Sequence, residues 1–367
     1  MIVERRLLPH IDLPLLAAVL ALAVIGILTI YSVTWDFAHN RPGGDFWVQV
    51  YALPVGLAAM AACLVVDYRT LAQRSLIFYG LLILALIYVS FAGVTRGGAK
   101  RWIGFGSFSL QPSEFARMTI ALVLAMFYGD RRRSARSMME LIIGAILVGI
   151  PFYLIEKQPD LGTAITLLPV FLGVAYLAGL RMRWLVIAAI VAAVLSPVAW
   201  KYGLKDYQKE RIVTFLDPSK DPKGAGYQQI QAKVSVGSGG LMGKGFRQGT
   251  QGGYGFLPVA SNDFVFSALA EEQGFVGVLV TLALYLFVIV RSLDAAKLAR
   301  DRVGAMLVVA ILSGFGFQVL YNITMSAGLA PVKGLTLPLM SYGGSSLVAT
   351  LAAFGLILNV RMRRFLN

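Results

Sequence analysis

Apolar runs long enough to cross a bilayer, about 20 residues for about 30 Å of hydrocarbon, recur along the chain at 13–34, 46–66, 76–94 and 110–128. Six more follow at 138–155, 161–180, 184–200, 264–290, 303–325 and 337–360. Polar and glycine-rich stretches separate them. The pattern predicts an all-α, polytopic membrane protein with about ten transmembrane helices. Residues 1–367 form a single integral membrane domain, and 201–262 is one large extracytoplasmic loop between the seventh and eighth helices.

Composition agrees with this reading. Hydrophobic residues make up 57% of the chain and charged ones 14%, too few charges to cover a water-soluble domain. Two histidines (His10 and His39) and one cysteine (Cys63) exclude a disulfide framework and a His/Cys zinc cluster. A metal would have to sit on carboxylates or on phosphates of a ligand. The first apolar run follows a basic start but continues past signal-peptide length, so it is read as a retained span.

Lys and Arg in short loops set the orientation. Arg5 and Arg6, Arg69 and Arg74, the run Arg131, Arg132, Arg133 and Arg136, then Arg181 and Arg183, and finally Arg361, Arg363 and Arg364 fall on one side. That side is expected to be cytoplasmic, with both termini inside. The net charge of +14 is also expressed on the other side. Arg96, Lys100, Arg101, Lys157 and Lys333 occupy short outer loops, and Lys205, Lys209, Arg211, Lys220, Lys223, Lys233, Lys244 and Arg247 the long one. An anionic partner there explains them, as does attraction to anionic headgroups. Nucleic acid is not expected as a partner.

Polar motifs collect where even-numbered helices begin, at the outer surface: Gln111-Pro112-Ser113-Glu114, Gln158-Pro159-Asp160, Ser261-Asn262-Asp263 and Ser341-Tyr342-Gly343-Gly344-Ser345. Helix N-termini present free N–H groups, so several at one depth suit phosphate or pyrophosphate. Ordinary capping is the plainer explanation. Glu114 and Arg117, three apart, share a helix face about one turn below the surface. Ionisable groups at that depth are either functional or a structural ion pair. Asp263 opens the eighth helix, as a cap or as a reactive carboxylate. Ser267, Ala270 and Gly274 follow on its face; Glu271 lies about 80° round and Glu272 on the opposite side, so Glu271 is the expected cavity residue. The glycine-dense 237–255 carries Lys244 and Arg247 and could approach a polyanion. It is not a P-loop, because Gly245 follows Lys244 and Ser238 stands where the leading Gly belongs.

Together these strings resemble the SEDS family (shape, elongation, division and sporulation) over nearly the whole chain. The resemblance is carried by QPSE at 111–114, QPDLGT at 158–163, FLDPSKDPKGAGYQ at 215–228, GSGG at 237–240, and the pattern from Asn322 through Gly328, Leu329, Pro331 and Gly334 to SYGGSS at 341–346. The GKG at 243–245 and GTQ at 249–251 resemble its rod-elongation branch; PVKGLT at 331–336 is closer to the division branch.

The resemblance implies a peptidoglycan glycosyltransferase of the bacterial cytoplasmic membrane. It would join lipid II into glycan strands at the outer face for cell elongation and rod shape, releasing undecaprenyl pyrophosphate. The family's essential aspartate falls on Asp263. Where the family has a Pro-Glu-x-x-Thr-Asp pattern, Pro258 is here followed by Val259 and Asn262 precedes the aspartate; Arg117 replaces a usual lysine. Single-displacement chemistry needs one base and a positive environment for the departing pyrophosphate. Asp263 is the expected base. Glu114, Arg117, Arg101, Asp160, Lys244, Arg247, Glu271, Ser341 and Lys333 are the expected substrate-binding residues. A divalent cation, magnesium or manganese, could bridge the pyrophosphate. Implied partners are a class B penicillin-binding protein with transpeptidase activity and other membrane proteins of the elongation complex.

Two other readings stand beside this one. A lipid II flippase also needs about ten helices and a basic cavity, but should carry polar sites at both faces or the midplane. A scaffold that only anchors the penicillin-binding protein needs no charged outer cavity.

Overall fold

A computed structural model describes residues 8–37, 39–96, 99–105, 108–129, 137–203 and 206–365. Arg5, Arg6, Arg131, Arg132, Arg133, Arg136 and Lys205 lie outside the described residues.

The chain begins α1 (Leu13–Val33), β1 (Trp35–Asp36), β2 (Arg41–Pro42), α2 (Gly44–Val65), α3 (Tyr68–Gln73) and α4 (Ser75–Ala92). An antiparallel sheet of β3 (Val94–Arg96), β4 (Ala99–Phe105) and β5 (Phe108–Leu110) leads to α5 (Pro112–Gly129), α6 (Met138–Lys157), α7 (Leu161–Leu177) and α8 (Met182–Val198). The large connection contains α9 (Asp206–Leu216), α10 (Ala225–Ser238) and α11 (Thr250–Gly253), before α12 (Val265–Lys297), α13 (Arg302–Ser326) and α14 (Gly344–Met362).

Every predicted apolar run holds a helix. Seven helices, α1, α2, α4, α6, α12, α13 and α14, are long and apolar enough to cross a membrane, and α7 is a shorter apolar helix. α5 and α8 occupy the fourth and seventh predicted spans. The boundaries follow local chemistry. Asp12 caps α1 by accepting from Leu15 N at 3.4 Å. The last helix starts at Gly344 rather than 337, because Pro338 lacks a donor and Leu339 (φ 70°) and Gly343 (φ 159°) leave helical space.

The eighth span differs most from the sequence reading. α12 is broken at Gly274 (φ 64°, ψ −163°), and the glycine-dense segment packs into the break. Lys244 N and Gly245 N donate to Glu271 O and Glu272 O at 3.0 and 2.9 Å, while Phe275 N and Val276 N donate to Gly240 O and Leu241 O at 2.9 and 3.1 Å. Backbone groups freed by the kink are thereby satisfied within the protein, as membrane depth requires. A Cβ at Gly274 would stand 2.2 Å from Gly243 N, so no larger residue fits.

α14 is the core: its whole span is buried, mainly against α2, with α5, α12 and α13 around it. Lipid tails are as apolar as leucine, so close approach rather than hydrophobic transfer holds such helices together. At Gly355 a Cβ would stand 2.6 Å from the Met60 carbonyl oxygen. α8, by contrast, exposes Ile190, Val194 and Val198.

Both ends of the described chain lie on one face. There Asp12, its side chain 1% exposed, pairs with Arg291 and Arg361 at 3.0 and 2.8 Å, tying the start of α1 to the last turn of α14 and to α12. Arg69 pairs with Asp301 at 2.6 Å and Arg363 with Asp67 at 3.3 Å. The polar helix starts lie at the opposite face.

Candidate functional site

Three helix starts and the residues before α12 are hydrogen-bonded into one floor. Gln111 N donates to Ser345 Oγ at 3.0 Å, joining α5 to α14. Gln111 Nε2 donates to Asp160 Oδ2 at 3.0 Å, joining α5 to α7. Asp160 also caps α7 through Thr163 N at 3.3 Å, so capping and site formation coincide there. Arg101 on β4 lies 3.9 Å from Asp160 and donates from Nε to Gln158 O at 2.9 Å.

These groups surround a cavity of about 150 Å³ whose lining includes Arg101, Trp102, Glu114, Arg117, Asp160, Asn262, Gln318, Gly334 and Tyr342. Glu114 and Arg117 form an ion pair at 2.7 Å and face this cavity together. Buried charges at this depth are tolerated because they are paired. A smaller, mostly apolar cavity continues inward past them, lined also by Gln318, Phe315 and Phe354.

Asp263 is not itself in this lining; its neighbour Asn262 is, and the Asp263 Oδ2 stands toward Gly334, another lining residue. It is not an N-cap: α12 begins two residues later, and its cap position, Phe264, makes no side-chain capping bond. The aspartate is held through its backbone instead. Its N–H donates to Val259 O at 3.1 Å, and its carbonyl accepts from Asn322 Nδ2 at 2.9 Å. Tyr342 N donates to Ser261 O at 2.8 Å. The carboxylate Oδ1 is buried and has no partner. Burial raises the Asp263 pKa to about 6, against the opposing influence of Arg211; Asp160 raises it further and Arg101 lowers it.

The structure brings Arg101, Glu114, Arg117 and Asp160 together around the cavity as expected. Lys333 adjoins it, next to Gly334, with its ammonium 5.9 Å from the Tyr321 ring centre. Burial, and then nearby Arg211, hold its pKa below the usual lysine value. Ser341 is 4% exposed and is occupied in the scaffold: its hydroxyl donates to Asn262 O and accepts from Leu337 N.

Lys244, Arg247 and Glu271 are absent from the lining of this cavity: Lys244 and Arg247 belong to the glycine-dense segment, and Glu271 faces that segment. Glu271 accepts from Lys244 Nζ at 2.6 Å and Thr250 N at 2.8 Å, and from Gln251 N at 3.1 Å. Arg247 stacks over Trp35, 3.8 Å from its ring centre. Glu272, placed by helical geometry on the far side, accepts from Ser32 Oγ and lines a separate cavity with Ile25 and Phe246. Both glutamates precede the break, and their partners come from the glycine-dense segment and from α1.

Sequence reading missed three residues near Asp263. Arg211, one of many loop cations, lies close enough to Asp263 and Lys333 to influence both charges. Asn322 entered only as the start of a motif. Gln318 lies one helical turn before Asn322 on α13, and that spacing was its available signal.

Among the described residues no three His, Cys, Asp or Glu side chains gather as a metal site. Glu114 and Asp160 already face Arg117 and Arg101. The residues present do not fit a resident metal.

The FtsW, RodA and SpoVE cell cycle protein model matches residues 13–365. The chain is 36% identical to peptidoglycan glycosyltransferase MrdB of Escherichia coli K12 over 97% of this chain and 94% of that one. It is 35% identical to stage V sporulation protein E of Bacillus subtilis over 95% and 96%. Among solved structures, a chain of a peptidoglycan synthase complex that coordinates polymerisation and crosslinking superposes with a TM-score of 0.84 at 32% identity, covering 97% of this chain and 99% of that one. The rod shape determining protein RodA of Thermus thermophilus gives 0.72 at 29% identity, covering 97% and 98%. A family match spanning nearly every residue, together with this shared fold, establishes that the chain belongs to the FtsW, RodA and SpoVE family, the SEDS family its motifs resemble.

Proposed function

We propose that the chain is a peptidoglycan glycosyltransferase that polymerises lipid II at the outer face of the bacterial cytoplasmic membrane during elongation, with Asp263 as general base. The observation that carries the mechanism is a carboxylate oxygen without a partner, fixed through its backbone beside a cavity edged by Arg101 and Arg117. Asp263 takes the proton of the acceptor sugar hydroxyl as that oxygen attacks the anomeric carbon of the donor. The anomeric carbon–oxygen bond to pyrophosphate breaks, and the electron pair leaves with undecaprenyl pyrophosphate. Configuration inverts in one displacement, so no second carboxylate nucleophile is needed. Arg101, Arg117, Lys333 and Arg211 supply positive charge for the departing group.

Lipid tails reach the cavity sideways from the outer leaflet. The cavity face is then outer and both termini cytoplasmic. A class B penicillin-binding protein, with other elongation-complex membrane proteins, receives the product strands and docks on the membrane domain. Magnesium or manganese, if used, arrives on the substrate's phosphates.

Flippase activity is the weaker reading. The ion pairs of Asp12, Arg291 and Arg361 tie α1, α12 and α14 together at the far face, where a translocation path would have to open. The test is conversion of fluorescent lipid II to long glycan by the purified chain, with and without a cognate class B partner. Polymer supports the proposal; no polymer in either case, with lipid II translocation in proteoliposomes, supports the flippase.

A further inference from the structure

Gln318 is 2% exposed on α13, and its two ends are unequally served. Nε2 donates to Thr336 O at 2.9 Å and to Thr336 Oγ1 at 3.1 Å. The carbonyl at Thr336 can only accept, so the amide orientation is set by its neighbours. Oε1 is therefore the remaining end, and it is buried with no hydrogen-bond partner. The residue lines both the cavity and its inward continuation, beside Glu114 and Arg117. A buried acceptor left bare is unfavourable, and such a group at a substrate cavity calls for a donor from the ligand. Asn322, one turn along, repeats the arrangement: Nδ2 is used on Asp263 O and Leu335 O, and Oδ1 is buried and bare.

We infer that Gln318 reads the carbohydrate of the substrate, its amide oxygen accepting a hydrogen bond from a neutral donor on an amino sugar. The donor is an acetamido N–H or a ring hydroxyl, and the lipid-linked sugar is held by it rather than by charge alone. This rests on the reading of the chain as a lipid II polymerase. A site that hydrogen-bonds a substrate donor rejects the analogue lacking it, because its own acceptor is then left unpaired.

The test pairs protein variants with substrate analogues. Polymerisation kinetics are measured for the wild type and Gln318→Met on lipid II, on an analogue carrying acetoxy in place of acetamido, and on deoxy analogues of the ring hydroxyls. One analogue is expected to cost the wild type about tenfold in kcat/KM, the size of one neutral hydrogen bond, and to cost Gln318→Met nothing further. The acetoxy analogue doing so identifies the N–H; a deoxy analogue identifies the hydroxyl. A structural role in holding Thr336 would lower activity equally on all substrates, and that result overturns the inference. Gln318→Leu serves if the Met variant fails to fold, and a wild type indifferent to every analogue overturns it without a variant. A wild type that makes no polymer from lipid II removes the functional reading itself, and this inference with it.

Discussion

One amide of Asn322 donates both to the backbone carbonyl of Asp263, at 2.9 Å, and to that of Leu335, at 2.6 Å. The segment carrying the base is thus clamped to the adjacent 334–336 segment, which lines the cavity. Asn322→Leu should leave two buried carbonyls without this donor, costing about 1–3 kcal/mol, and let the carboxylate drift. The expected result is a fall in kcat of about tenfold or more in lipid II polymerisation, with a smaller change in KM and a lowered melting temperature.

The pKa of about 6 at Asp263 gives the rate a defined acidic limb. The base works ionised, so kcat/KM should be flat above about pH 7 and fall as pH drops through 6, approaching tenfold per unit below it. Arg211 favours the ionised form. Replacing it with Gln should move the limb to higher pH, which a pH profile of initial rates would reveal; a shift to lower pH would contradict the electrostatic assignment.

The Glu271 carboxylate holds the glycine-dense segment in the break of α12 and does not face the cavity. Glu271→Ala should therefore act on stability. Loss of the Lys244 pair and the Thr250 and Gln251 bonds is expected to cost about 2–4 kcal/mol. The measurements are thermal unfolding in detergent and proteolysis between residues 239 and 255, where cleavage should quicken.

Gly274→Ala tests the break itself. The new Cβ would meet Gly243 N at 2.2 Å in a backbone region that disfavours side chains. The variant should fold poorly or lose the segment's packing, seen as reduced monodisperse yield, whereas Gly149→Ala, with open space at its Cβ, should behave as wild type.

Much of this was legible in the sequence because bilayer thickness dictates element length: each apolar run held a helix. The site's floor was legible too, since Gln111, Glu114, Arg117, Asp160 and Asp263 sit at helix starts, where free N–H groups and charge must be managed. What escaped was set by non-local contacts. Periodicity along α12 put Glu271 and Glu272 on different faces but carried no sign that the glycine-dense segment and α1 would take those faces. The break forms because a segment some 30 residues earlier fills it. Arg211 and Gln318 gain their importance from nearness to Asp263 and from a bond to Thr336, neither of which leaves a local pattern.

The central claim is that Asp263 is the base, and Asp263→Asn tests it most directly because the side chain keeps its shape and loses its basicity. Purified beside the wild type and matched in melting temperature, the variant should polymerise fluorescent lipid II about 100-fold or more slowly while still binding it. Glycan formed by Asp263→Asn at close to the wild-type rate would contradict the account.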